Sequence, residues 1–182
     1  KEVKSLKVRN KYQKLFNLCS KLMLQIVEGN KPVIAKVHGA AYAAGCQLVA
    51  SCDLAYSTKD ALFATPGVNI GLFCSTPMVA VSRKINKKPM MKMLLTGEPI
   101  KANFAKEIGL INDCFSKSKL NNEVLKIAKK IASKSNLTIK IGKRTFYKQL
   151  EMPLRKAYAH TSKMMTINMM ACLLYTSDAA DE

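Results

Sequence analysis

Residues 33–52 of this chain are the best equipped for chemistry. An apolar run at residues 33–37 reads as a strand, His38-Gly39 as a turn, and residues 40–44 as a small-residue stretch interrupted only by Tyr42. A helix is then expected to open near Gly45 and to run to about Cys52. The first backbone N–H groups of a helix have no intrahelical partner and lie at the positive end of its dipole. Small side chains let a ligand oxygen approach such donors, which suits an oxyanion better than a bulky neutral group. Close helix–sheet packing would ask for the same small residues, so spacing alone leaves both readings open.

The other reactive residue types are sparse. Six cysteines (Cys19, Cys46, Cys52, Cys74, Cys114 and Cys172) form no C-x-x-C pair, and the two histidines, His38 and His160, are far apart in sequence. No metal site is expected from that spacing. No carboxylate occurs between Glu28 and Asp53, and none between Asp60 and Glu98. Apolar surroundings suit free thiols acting as small core residues in a reducing compartment.

The elements that would position the segment alternate. An amphipathic helix is expected over residues 10–29, with Tyr12, Leu15, Phe16, Cys19, Leu22, Met23 and Ile26 on its apolar face. After the strand–turn–helix come strands at about residues 53–56 and 62–64, a break at Pro66-Gly67, and a second break at Gly71. A helix follows from near Ser75, where Ser75-Thr76-Pro77 reads as a cap with proline in the first turn. Helices are expected from about residue 89 to Thr96 and over residues 101–108, then a strand over 110–115. A long amphipathic helix uses Leu120, Val124, Ile127, Ala128 and Ile131, and two more fall around 137–150 and 153–170. Strand–helix alternation followed by helices predicts an α/β fold with a helical C-terminal region.

The chain has 182 residues, 48% of them apolar, enough for a buried core and one domain by length. Its formal charge is +18, which invites a nucleic-acid reading. Against it, only four of the 30 basic residues are arginine, the lysines are scattered, and there is no tryptophan. Nucleic acid is therefore disfavoured, while a phosphorylated small ligand suits the basic surface. No apolar run reaches the ~18–20 residues of a membrane-spanning helix.

Three blocks share their order and spacing with one family: KPVIAKVHGAAYAAGCQLVASCDLAYST, ALFATPGVNIGLFCSTP and LTGEPIKANFAKEIGLIN. Over residues 1–171 the chain resembles the crotonase (enoyl-CoA hydratase/isomerase) family. The resemblance implies a crotonase-like spiral of ββα units with C-terminal helices that mediate trimerisation, giving a homotrimer or hexamer. It implies an acyl-CoA thioester as ligand, coenzyme A entering as part of the substrate and not as a separate cofactor, and a mitochondrial location. The thioester carbonyl is expected between two backbone N–H donors. One maps onto Ala44, and the other belongs to a segment whose last residues correspond to Lys1-Glu2, so N-terminal strands are expected to be missing. Gly39, Ala44, Gly45, Thr65 and Cys74 are the residues expected around the substrate.

Hydratases of the family add water across an α,β-double bond with two glutamates. Aligned here, the first position is Gln47 and the second Gly67. An amide does not titrate and glycine has no side chain, so neither can act as a general base. Ser75 maps near the reacting carbon, where another branch places a carboxylate, with Cys74 beside it. No histidine is placed to activate either residue. His38 reads as structural; Gln47 either hydrogen-bonds the ligand or faces the helix start. The expected function is acyl-CoA binding in fatty-acid metabolism with hydration weak, altered or absent, so whether the chain is an enzyme of the lyase or isomerase class stays open. The alternative is a non-enzymatic scaffold or an RNA- or protein-binding trimer. Residues 1–115 are expected to form a partial ββα core and 116–171 a helical region. Residues 172–182 match nothing before them and are expected to be a non-native tail.

Overall fold

The computed structural model describes residues 2–178, and side chains over residues 8–172. The order is α1 (Glu2–Glu28), β1 (Ile34–Val37), β2 (Ala40–Tyr42), α2 (Ala44–Ser51), β3 (Leu54–Thr58), β4 (Leu62–Ala64), a 3₁₀ turn (Pro66–Ile70) and α3 (Ser75–Val81). Then come α4 (Lys87–Thr96), β5 (Ile100–Lys101), α5 (Ala102–Glu107), β6 (Asp113–Phe115), α6 (Lys117–Ala132), α7 (Asn136–Leu150) and α8 (Leu154–Asp178).

Two small sheets are built in step. β1, β3 and β6 form one parallel sheet in that order; β2 pairs parallel with β4, and β4 antiparallel with β5, in the other. Each ββα repeat therefore adds one strand to each sheet, and a helix supplies the crossover that parallel neighbours require. Register is pinned locally. Asp53 accepts the Val33 N–H at 2.7 Å, holding the mouth of β1 beside β3. Asn112 accepts the Ala55 N–H through its side chain and donates its own N–H to the Ala55 carbonyl, both at 2.8 Å, which docks β6. This is the crotonase-like α/β architecture that the resemblance implies, with helices following the strands.

Between the strands and helices α2–α5 lies a core of small and medium residues around Phe63, Cys46, Val81, Met93 and Ala105. Leu120 of α6 is fully buried while its lysines face outward, as the amphipathic pattern predicts. Contacts group the chain into two compact units: residues 1–27 with 33–128, and residues 28–32 with 129–182. In the second, Ser135 caps α7 by accepting the Thr138 N–H, and Thr138 in turn donates to Asn168 of α8. An apolar groove of about 950 Å³ runs between α7 and α8, with Ile141, Phe146, Met165 and Met169 among its walls.

Three local expectations change. Residues 40–42, read as part of a small-residue loop, form a strand, because their backbone pairs with β4. Helix α1 starts eight residues earlier than its apolar pattern, and of its expected inner face only Met23 is buried; Tyr12, Leu15, Phe16 and Leu22 are exposed. Ser75 is the first residue of α3, not its cap; Cys74 holds the cap position and no side chain bonds the helix start. The stretch from Cys172 continues α8 through Asp178, and residues 179–182 lie outside the described residues.

Candidate functional site

The turn from β2 into α2 depends on Ala43. Its φ of 48° and ψ of −113° make it the one non-glycine residue with positive φ among the described residues. Two hydrogen bonds hold it there: its N–H donates to the Ala64 carbonyl at 2.9 Å, and its carbonyl accepts from Gln47 N–H at 3.0 Å. The conformation is one that L-residues adopt at a cost of about 1–3 kcal/mol, and such strain clusters at binding sites. It frees the N–H groups of Ala44, Gly45 and Cys46, none of which finds a partner among the described residues. Ala44 is exposed, and a Cβ on Gly45 or on Gly39 would meet nothing within 4 Å. Ala44, the donor position that the resemblance implies, is thus the first residue of α2, with an N–H that the helix does not use.

Gln47 lies three residues beyond Ala44, on the same face of α2. It is only 4% exposed, and its Oε1 accepts from the Cys19 thiol of α1 at 3.7 Å. Its Nε2 has no partner among the described residues.

Gly67 is closed to any side chain. A Cβ built there would lie 2.5 Å from the Leu72 carbonyl oxygen and 2.9 Å from the Cys74 sulfur. The loop folds back on itself: Gly67 accepts from Leu72 N–H at 2.9 Å and donates its own N–H to Cys74 Sγ at 3.3 Å, while Gly71 turns with φ 75°. A side chain at position 67 would therefore need the loop to move.

Cys46 and Cys74 are both buried, on the packed helices α2 and α3 and the loop before α3. Burial, reinforced by the neighbouring Cys74, pushes the Cys46 thiol from 9.0 up to about 12. It stays protonated at neutral pH and is no nucleophile. Ser75 is exposed and its hydroxyl donates to the Phe73 carbonyl at 3.3 Å. No base contacts it. Thr65, at the end of β4, is fully buried with its hydroxyl unpaired among the described residues, and that oxygen is sealed from solvent. His38 is exposed beyond β1. No cluster of metal-ligating residues exists among the described residues.

Ala43 thus bonds the carbonyl of Ala64, next to Thr65, and Gly67 bonds Cys74, while Ser75 hydrogen-bonds Phe73. Sequence reasoning missed Ala43 and Cys19. Glycine would have advertised the positive φ of Ala43; alanine hides it. The Cys19–Gln47 contact joins residues 28 positions apart and leaves no local pattern.

Residues 1–171 match the profile of the enoyl-CoA hydratase/isomerase family. The chain belongs to this family. Human enoyl-CoA hydratase domain-containing protein 3, mitochondrial, is 48% identical over 169 residues, covering 93% of this chain and 56% of the relative. The mouse protein of the same name is 47% identical over the same length. Among solved structures, enoyl-CoA hydratase of Mycobacterium smegmatis superposes with a TM-score of 0.88 at 48% identity, over 89% of this chain and 63% of that one. The crystal structure of human enoyl coenzyme A hydratase domain-containing protein 3 gives 0.87 at 49% identity, over 89% and 64%. The chain spans about half the length of the curated relatives it matches. The 2,3-dehydroadipyl-CoA hydratase of Escherichia coli is 31% identical over 139 residues, 76% of this chain and 54% of that protein.

Proposed function

We propose that this chain is an acyl-CoA-binding member of the enoyl-CoA hydratase/isomerase family in which two-glutamate hydration is lost. The free N–H of Ala44 receives the thioester oxygen, and Gly39 and Gly45 leave room for it. Polarising that carbonyl needs only aligned donors, so binding and slow carbonyl chemistry survive without a base. Hydration does not, because a positioned general acid or base contributes a factor of about 10² to 10⁴. The observation that carries the proposal is the space around Gly67: the Leu72 carbonyl and Cys74 sulfur occupy the volume a second carboxylate would need.

The exposed apolar residues Phe146, Leu150, Leu154 and Met165 support a further part of the reading, assembly of copies through the C-terminal helices as a homotrimer or hexamer. Mitochondrial residence is carried over from the names of the relatives. The test is thermal stabilisation by butyryl-CoA: a ligand that binds the native state alone at 100 times its Kd adds about 2.7 kcal/mol. A rise in Tm supports the reading; an unchanged Tm at millimolar ligand contradicts it and favours a scaffold.

A further inference from the structure

Helix α8 carries four methionines within seven residues, Met164-Met165 and Met169-Met170, and all four line the groove it forms with α7. Met165 and Met169 stand four residues apart, hence on one face of the helix. They are 63% and 54% exposed, whereas Met23, Met90 and Met93 of the first unit are 8% exposed or less. Ile141 and Phe146 of α7 make the facing wall apolar as well. A thioether suits such a wall when another copy covers it, being flexible, polarisable and undemanding of hydrogen bonds.

The same exposure opens these sulfurs to oxidation. Hydrogen peroxide transfers one oxygen to the thioether: its O–O bond breaks, an S–O bond forms, and water leaves. The sulfur gives up two electrons and the peroxide takes them. The product, methionine sulfoxide, is polar and disrupts methionine-rich interfaces. The groove has few free donors to offer its oxygen. Three hydroxyls on its walls are already committed, Thr138 to Asn168, Thr161 to the Tyr158 carbonyl and Thr166 to the Ser162 carbonyl.

We propose that Met165 and Met169 are a peroxide-modification site that controls assembly: as thioethers they let copies join across the α7–α8 face, and as sulfoxides they hold copies apart. The proposal rests on the assembly reading above. Oxidation and assembly compete for the same protomers, because joined copies cover the sulfurs and separate ones expose them, so each state draws on the other by mass action. A buried polar oxygen without a donor is expected to weaken association by about 10-fold or more.

The test is sedimentation of the full chain before and after hydrogen peroxide, with a dithiothreitol wash that restores cysteine sulfenates and disulfides and leaves sulfoxides in place. The untreated chain is expected to assemble, and the treated chain to need about 10-fold more protein to do so. Methionine sulfoxide reductases should restore the untreated behaviour. The Met165→Leu, Met169→Leu double variant, similar in volume and free of sulfur, should assemble with or without peroxide. Peptide mass mapping supplies the reciprocal: raising protein concentration should slow oxidation of Met165 and Met169 and leave that of Met91, 45% exposed in the first unit, unchanged. Equal assembly of treated and untreated wild type overturns the proposal and leaves the assembly reading intact. An untreated chain that stays monomeric overturns both. Peroxide-sensitive assembly of the leucine variant also overturns the proposal, since the sensitive group then lies elsewhere. Should that variant not fold, reductase rescue and the mass map decide.

Discussion

The sulfur of Cys74 lies 3.3 Å from the backbone nitrogen of Gly67 and would lie 2.9 Å from any Cβ placed on it. With the Leu72 N–H to Gly67 carbonyl bond, that contact closes the loop between β4 and α3 and crowds the space beside the Gly67 Cα. A side chain at position 67 would therefore meet both the Leu72 backbone and the packed Cys74 sulfur.

Gly67→Glu is accordingly expected to destabilise the chain and to gain no hydratase activity. Gly67→Ala alone forces a Cβ against the Leu72 carbonyl, a backbone atom that cannot swing aside. Overpacking of this sort costs about 1–3 kcal/mol. Urea unfolding of both variants checks the stability, and crotonyl-CoA turnover the activity. A Gly67→Glu protein as stable as wild type would show that the loop yields.

Ala43→Gly is expected to stabilise the chain. Relief of the positive φ returns about 1–3 kcal/mol, against the roughly 0.4–1 kcal/mol by which glycine loosens the unfolded state. Ala43→Val should do the opposite, because a β-branched side chain tolerates that conformation least. Denaturant midpoints at fixed slope read both changes. A destabilised Ala43→Gly would mean that Ala43 bears no strain.

Thr65→Val removes a hydroxyl that is buried and unpaired while preserving shape. Its expected effect is a gain of about 1 kcal/mol, the lower end of what an unsatisfied buried polar group costs. Thr65→Ser, which keeps the hydroxyl and loses the methyl, should lower stability. Thermal unfolding distinguishes the two signs; a destabilised Thr65→Val would place a partner on the hydroxyl.

Cys46 sets an alkaline limit. Its thiol titrates near 9.0 when unfolded and near 12 when folded, so between those values the native state holds a proton that the unfolded state has lost. Stability contributed by this group is present below about pH 9 and falls as pH rises toward 12. Cys46→Ala should therefore show a shallower decline of Tm over that range than wild type. Identical slopes would contradict a raised thiol.

How far the sequence foretells this molecule depends on the scale of the signal. Strand β1, helix α2 and strands β3 and β4 stand out because apolar runs of the right length are bounded by glycine, proline and small residues. Residues 40–42 do not, since three residues whose strand state comes from pairing with distant Leu62, Phe63 and Ala64 show no period of their own. The alternation in α1 states that one face wants cover; what covers it is not written there, and most of that face is exposed. At the site, the stretches without carboxylates are read from residue types alone, while the donor at Ala44 comes from the family resemblance. The strain of Ala43, the closed space at Gly67 and the tie between Cys19 and Gln47 arise from contacts across the fold and have no local signature.

Retention of a thioester grip without a proton shuttle is tested most directly by titrating crotonyl-CoA into the full chain in a calorimeter. Binding without turnover predicts saturable heats that return to baseline after each injection. Sustained heat from continuous hydration, or no saturable heat at all, would contradict it.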